Sequence, residues 1–195
     1  MKSALILIFF SISVTALRSE NGEIQTTTVE NFENINDWGL NYKRNFSGSA
    51  YISRNELPAS ASSGNYIQIR FSGVKGSGFR LARKEAILLP GCIFSITVSI
   101  FGFGDIFEFY ADIRDVRNKF HRISSGILKH SGWKTITIPI AGIRSRRIQL
   151  NGGRDGIMLE GFFIKTLTGS GIVRLLLDDI TVSSASCVLE HAEKP

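Results

Sequence analysis

Apolar and polar residues alternate one for one along most of this chain, and no window keeps apolar residues at helical spacing over three turns. Asn65–Phe71 alternates in this way, and so does Ile93–Phe101, with Ile96, Val98 and Ile100 on one side. Phe107–Ile113, Lys119–Ser124, Lys134–Ile138, Ile157–Leu167 and Val173–Ser183 follow, and Thr27–Phe32, Ser49–Ser53 and Phe79–Leu88 precede them. Turn chemistry separates these runs at Ser62–Asn65, Gly73–Gly78, Pro90-Gly91, Gly102–Gly104, Ser131-Gly132, Asn151–Gly153 and Thr168–Gly171. About ten short strands with tight connections predict an all-β fold, a jelly-roll-like β-sandwich of two antiparallel sheets.

The first residues break this pattern. Residues 1–16, MKSALILIFFSISVTA, place Lys2 before an apolar run that fades into small residues, which predicts a secretory signal cleaved after Ala16. The run is too short to cross ~30 Å of hydrocarbon, so no transmembrane anchor is expected. Residues 17–26 read as a flexible segment, 27–187 as a single sandwich domain and 188–195 as a loose tail. A hydrophobic content of 43% supplies one sizeable core and excludes a disordered or collagen-like chain. Export argues against a nucleic-acid partner despite the net charge of +6. Two cysteines in an oxidising compartment allow one bridge, Cys92–Cys187, if the strands that carry them are antiparallel neighbours; two unpaired thiols are the alternative.

The residues do not assemble an enzyme. His121, His130 and His191 lack metal-ligand spacing, and neither a Gly-x-Ser-x-Gly nor a His-Glu-x-x-His motif occurs. Gly73–Gly78 has the glycines of a phosphate cradle but no helix after it, so it reads as a turn. Asp178-Asp179 is the oddest feature, because adjacent residues of a strand point to opposite faces and one carboxylate would enter the apolar layer. A structural calcium ion bridging Glu33 and Asp179 would resolve this; a bulge or an arginine partner would as well. Beyond that candidate no cofactor is expected.

Two surface features suggest contact with a partner. Basic residues gather at Arg144, Arg146 and Arg147 and again at Arg80–Lys84, with Arg114, Arg117, Lys119 and Arg122 between, fit either for docking on an acidic surface or for ordinary solvated strand faces. Phe101, Phe103 and Phe107 at a glycine-rich corner read as core residues, sugar platforms or interface anchors, with Phe103 the candidate contact.

Several of these residues fall in a familiar order. Leu89-Pro90-Gly91 leads to Ile100-Phe101-Gly102; Phe109–Asp115 and Lys119–Arg122 follow; Gly132-Trp133-Lys134 runs to Ile138-Pro139; Leu177–Ile180 closes the series. This order resembles the FlaA family, sheath proteins of spirochaete periplasmic flagella, over about residues 28–183. The resemblance implies a structural sheath component that coats the flagellin core, contacts other sheath proteins, self-associates in a lattice, contributes to motility and resides in the periplasm. The alternative, resting on the same fold and the Phe-rich corner, is a carbohydrate-binding jelly-roll module of an exported protein.

Overall fold

The computed structural model describes residues 24–42, 48, 50–54, 66–140, 143, 156–167 and 171–185. The elements are β1 (Gln25–Glu30), a 3-10 turn (Ile35–Asp37), β2 (Trp38–Tyr42), β3 (Ala50–Arg54), β4 (Ile67–Gly73), β5 (Gly78–Leu88), β6 (Cys92–Arg114), β7 (Phe120–Pro139), β8 (Met158–Thr166) and β9 (Gly171–Ala185). All pairings are antiparallel, in the order β2-β5-β8-β6-β9-β4-β3, with β1 added to β9 and β7 added to β6.

β6 organises the molecule. One of its edges pairs with β7 along almost its whole length. The other pairs with β9 through residues 92–102 and with β8 through residues 107–114. The β6–β7 hairpin therefore has its open end in one layer and its turn in the other. The front layer is β2, β5, β8, the second half of β6 and the first half of β7; the back layer is β3, β4, β1, β9 and the remaining halves. The result is the all-β, jelly-roll-like sandwich that the alternation predicts.

Sequence reading cuts this hairpin into four strands, because Gly102–Gly104 and Ser131-Gly132 look like turns. They are bends within continuous strands. Gly104 has φ +89°, the ladder slips between Phe103 and Ile106, and a side chain at Gly102 would strike the His130 carbonyl. Glycine here lets a long strand change layers. The sequence reading does not include β2, although Trp38, Leu40 and Tyr42 alternate with Gly39 and Asn41 over its five residues.

The period-two pattern sorts side chains as expected. Ile96, Val98 and Ile100 of β6, Phe79 and Leu81 of β5, Phe162 and Ile164 of β8, and Leu175, Leu177, Ile180 and Val182 of β9 are fully buried. Phe71 of β4 meets Phe79 of β5 edge-on at 4.6 Å and ties the layers together. Each such side chain contributes roughly 1.5–3 kcal/mol by leaving water. Cys92 pairs across the ladder with Ala185, two residues short of Cys187, which lies outside the described residues. The signal segment 1–16 and the tail 188–195 lie outside them as well.

An arginine–carboxylate face as candidate functional site

The two layers present different outer faces. On the back, register aligns Thr28, Thr181, Thr97 and Thr137 across four strands, a row of short hydroxyl side chains. The front layer is built from long charged and aromatic side chains. One row runs Asn41, Arg80, Phe163, Tyr110, Ser124; the next runs Gly39, Ala82, Gly161, Asp112, Arg122. Arg114 and Phe120 form a pair beyond them.

Asp112 is the keystone of the front face. Arg122 grips it with a planar fork, Nε on Oδ1 at 2.6 Å and Nη2 on Oδ2 at 2.7 Å. Arg80 donates Nε–H to the same Oδ2 at 2.7 Å and Nη2–H to Glu160 Oε2 at 2.7 Å. Glu160 also accepts from Nε of Arg114, whose Nη1 reaches the Asn118 carbonyl. The chain Arg122–Asp112–Arg80–Glu160–Arg114 is thus continuous over four strands. Burial opposes ionisation of Glu160, but hydrogen bonds and charge from Arg114 and Arg80 outweigh it and hold its carboxyl below the ordinary value.

A second cluster adjoins it. Glu108 Oε2 accepts from the Tyr110 hydroxyl at 2.7 Å and from Lys165 Nζ at 3.0 Å. These bonds lower the Glu108 pKa, the Tyr110 bond foremost, and the same carboxylate raises the pKa of Tyr110 and of Lys165. Rings and cations interleave between the clusters: Tyr110 lies 5.8 Å from Phe163, Arg122 sits 3.9 Å above the Phe163 ring, and Phe120 has Arg80 and Arg122 near its face. At the β6–β7 turn, Asp115 is buried, which opposes its charge, yet bonds from His121 and from the amides of Lys119 and Arg117 keep its pKa low.

The residues singled out in the sequence fall elsewhere. Arg144, Arg146 and Arg147 lie outside the described residues. Phe103 is on the back layer, edge-on to Phe101 at 4.9 Å with Arg174 over its ring at 4.7 Å; Phe101 in turn meets Trp133 at 5.5 Å. Phe107 is core. Asp178 and Asp179 are split by a bulge: Ile180 pairs with Val98 and Asp178 with Ser99, so Asp179 is the extra residue, at φ +35°, while Asp178 is buried and accepts the Asp179 amide at 2.8 Å. Glu33 is exposed just after β1. Among the described residues no group of three or more His, Cys, Asp or Glu could hold a metal ion. No helix among them is long and apolar enough to cross a membrane.

In the sequence the face that assembles most chemistry shows as scattered basic residues and as the polar side of one alternating run. Glu108, Tyr110, Asp112 and Arg114, at every second position of β6, announce one outward polar side. Their partners on β5, β7 and β8 are brought beside them by register alone.

No protein-family model matches the chain, and no curated protein matches it. Solved structures do. The family 11 carbohydrate-binding module from Clostridium thermocellum, in complex with a β-1,3-1,4-mixed-linked tetrasaccharide, is 19% identical, with a TM-score of 0.50 over 83% of this chain and 96% of that one. The family 11 module of the cellulosomal cellulase Lic26A-Cel5E of the same organism is 18% identical, with a TM-score of 0.51 over 86% and 99%. A structure described for the promiscuous specificity of carbohydrate-binding modules from the β-sandwich superfamily is 13% identical, with a TM-score of 0.54 over 78% and 60%.

These likenesses overturn the FlaA resemblance and what depended on it: the sheath role, the flagellin and sheath partners, the part in motility and the periplasmic flagellar location. The physical reason lies in the motifs. Trp133 packs on Phe101, Ile136 and Ile138 fill the core, and the glycines bend a hairpin, so the residue order that suggested FlaA records how this sandwich packs. The likeness is one of fold, to the modules named above.

Proposed function

We propose that this chain is a carbohydrate-binding domain, not a catalyst, and that it takes a glycan across the outer face of its front layer. The observation that carries the reading is the preassembled lattice Arg122–Asp112–Arg80–Glu160–Arg114 lying beside the rings of Tyr110, Phe163 and Phe120 on that face. A sugar chain offers hydroxyls at fixed spacing and C–H faces. Its recognition calls for oriented polar groups and aromatic surface that need no ordering when it arrives. The charged groups here are already fixed by one another. Gly39, Ala82 and Gly161 line up beside Asp112, so this row carries small residues, and the space over Gly39 is open. The fold likeness to modules described as binding carbohydrate supports the reading.

Affinity electrophoresis against a panel of plant, algal and bacterial polysaccharides tests it. Saturable retardation by at least one polymer is expected. Tyr110→Ala and Phe120→Ala, with unchanged circular dichroism, should each weaken it by about tenfold, the worth of one aromatic contact of about 1.4 kcal/mol. Absence of binding to every polymer, or binding untouched by both substitutions, overturns the proposal.

A further inference from the structure

We infer that the glycan this face takes is anionic, a polymer bearing carboxylates such as a polyuronate. The inference rests on the sugar-binding reading above and adds the class of ligand. It comes from how the charges are layered. The carboxylates lie deeper: Asp112 is 0% exposed, Glu160 18% and Glu108 22%. The cations stand over them: Arg122 is 26% exposed, Arg80 27%, Arg114 30% and Lys165 38%. A ligand approaching from solvent meets guanidinium and ammonium first, while the negative charge is screened beneath.

The aromatic surface leads to the same ligand. A neutral glucan stacks on open ring faces, but Arg122 covers the Phe163 ring at 3.9 Å, and Arg80 and Arg122 stand 5.8 and 5.7 Å from the centre of Phe120. The Tyr110 hydroxyl is committed to Glu108. The Phe163 face is thus taken up by a cation, while Phe120, 43% exposed, is the ring left open. Around it the face offers guanidinium N–H. Each of Arg80, Arg114 and Arg122 uses two of its donors within the protein. A guanidinium carries five donors in a rigid fork that matches a carboxylate. The face already displays that fit once, where Arg122 clasps Asp112 with two parallel bonds. Carboxylates along a uronate chain would repeat it.

Isothermal titration of the chain with polygalacturonate, a chondroitin sulfate and a mixed-linkage β-glucan tests this, at about 50 mM and about 500 mM sodium chloride so that the screening length changes. Polygalacturonate is expected to bind at least ~10-fold more tightly than the glucan at low salt and to lose most of that advantage at high salt. Arg122→Gln and Arg114→Gln should each weaken polygalacturonate by roughly fivefold or more, whereas Arg174→Gln on the opposite layer should leave it unchanged. The salt response of the unaltered chain reads the same property without any substitution. Equal, salt-insensitive binding of the glucan would overturn the anionic class and leave the sugar-binding proposal standing. Preference for the sulfated polymer would overturn the carboxylate assignment, and equal loss with Arg174→Gln would reduce the effect to the overall positive charge. Failure of all three polymers together with the wider panel would instead refute the sugar-binding proposal itself.

Discussion

Asp112 shows how a single residue can hold a surface together. Its carboxylate is inaccessible to solvent yet accepts three bonds from two arginines on different strands. Removing it leaves Arg80 and Arg122 without their counter-ion in a partly desolvated layer, which costs far more than the intact pair gains. Asp112→Ala is therefore expected to lower stability by about 3–5 kcal/mol, read as a drop in the urea midpoint at unchanged slope, with Asp112→Asn milder because the amide keeps one acceptor. The sequence revealed that Asp112 lies on the polar side of an alternating strand. It could not reveal Arg80 and Arg122 as partners, because residues 32 and 10 positions away are joined to it only by strand pairing. The Asp178-Asp179 pair was legible for the opposite reason: two adjacent carboxylates in an apolar strand conflict locally, and a bulge is one of the few local remedies.

At the scale of elements, a second irregularity shapes the front face. β8 runs straight until the ladder with β6 slips between Asp112 and Ile113, where Glu160 becomes the extra residue beside Gly161 at φ +148°. The slip turns Glu160 outward to meet Arg80 and Arg114. A side chain at position 161 would run into the Leu81 carbonyl and could not hold that backbone angle without strain. Gly161→Ala should cost about 1–3 kcal/mol in thermal or urea unfolding and weaken glycan binding as well, since Glu160 would lose its place. Strand existence was read well from alternation, and most limits fall within a few residues of those observed. The split hairpin has one cause: glycine marks both a chain reversal and a bend inside a continuous strand, and sequence alone does not distinguish them. Hence the hairpin of β6 and β7 reads as four pieces; β2, with only three apolar residues alternating over five positions, is missing from the sequence reading.

Taken whole, the chain supports its fold with a large apolar core, so covalent or ionic staples are additions to it. The β6–β9 ladder brings Cys92 opposite Ala185, close enough in sequence to Cys187 that a bridge remains the proposal for this pair. Calcium between Glu33 and Asp179 remains the proposal for the β1–β9 end, where Glu30 pairs with Ile180. One set of melting curves addresses both. Reductant should lower the transition by the equivalent of about 2–4 kcal/mol if the bridge is present, with an intact-mass change of about 2 Da confirming it. Calcium over a chelator should raise the transition if the ion binds the folded state alone. Curves that overlay in each comparison would remove the corresponding staple.

The hairpin shared by both layers carries a consequence for how such a domain fails. Neither layer owns a complete set of strands, so peeling away the front would unzip the inner edge of the back. Damage at one surface is therefore felt at the other, and the domain has no half that could survive by itself as a foldable fragment.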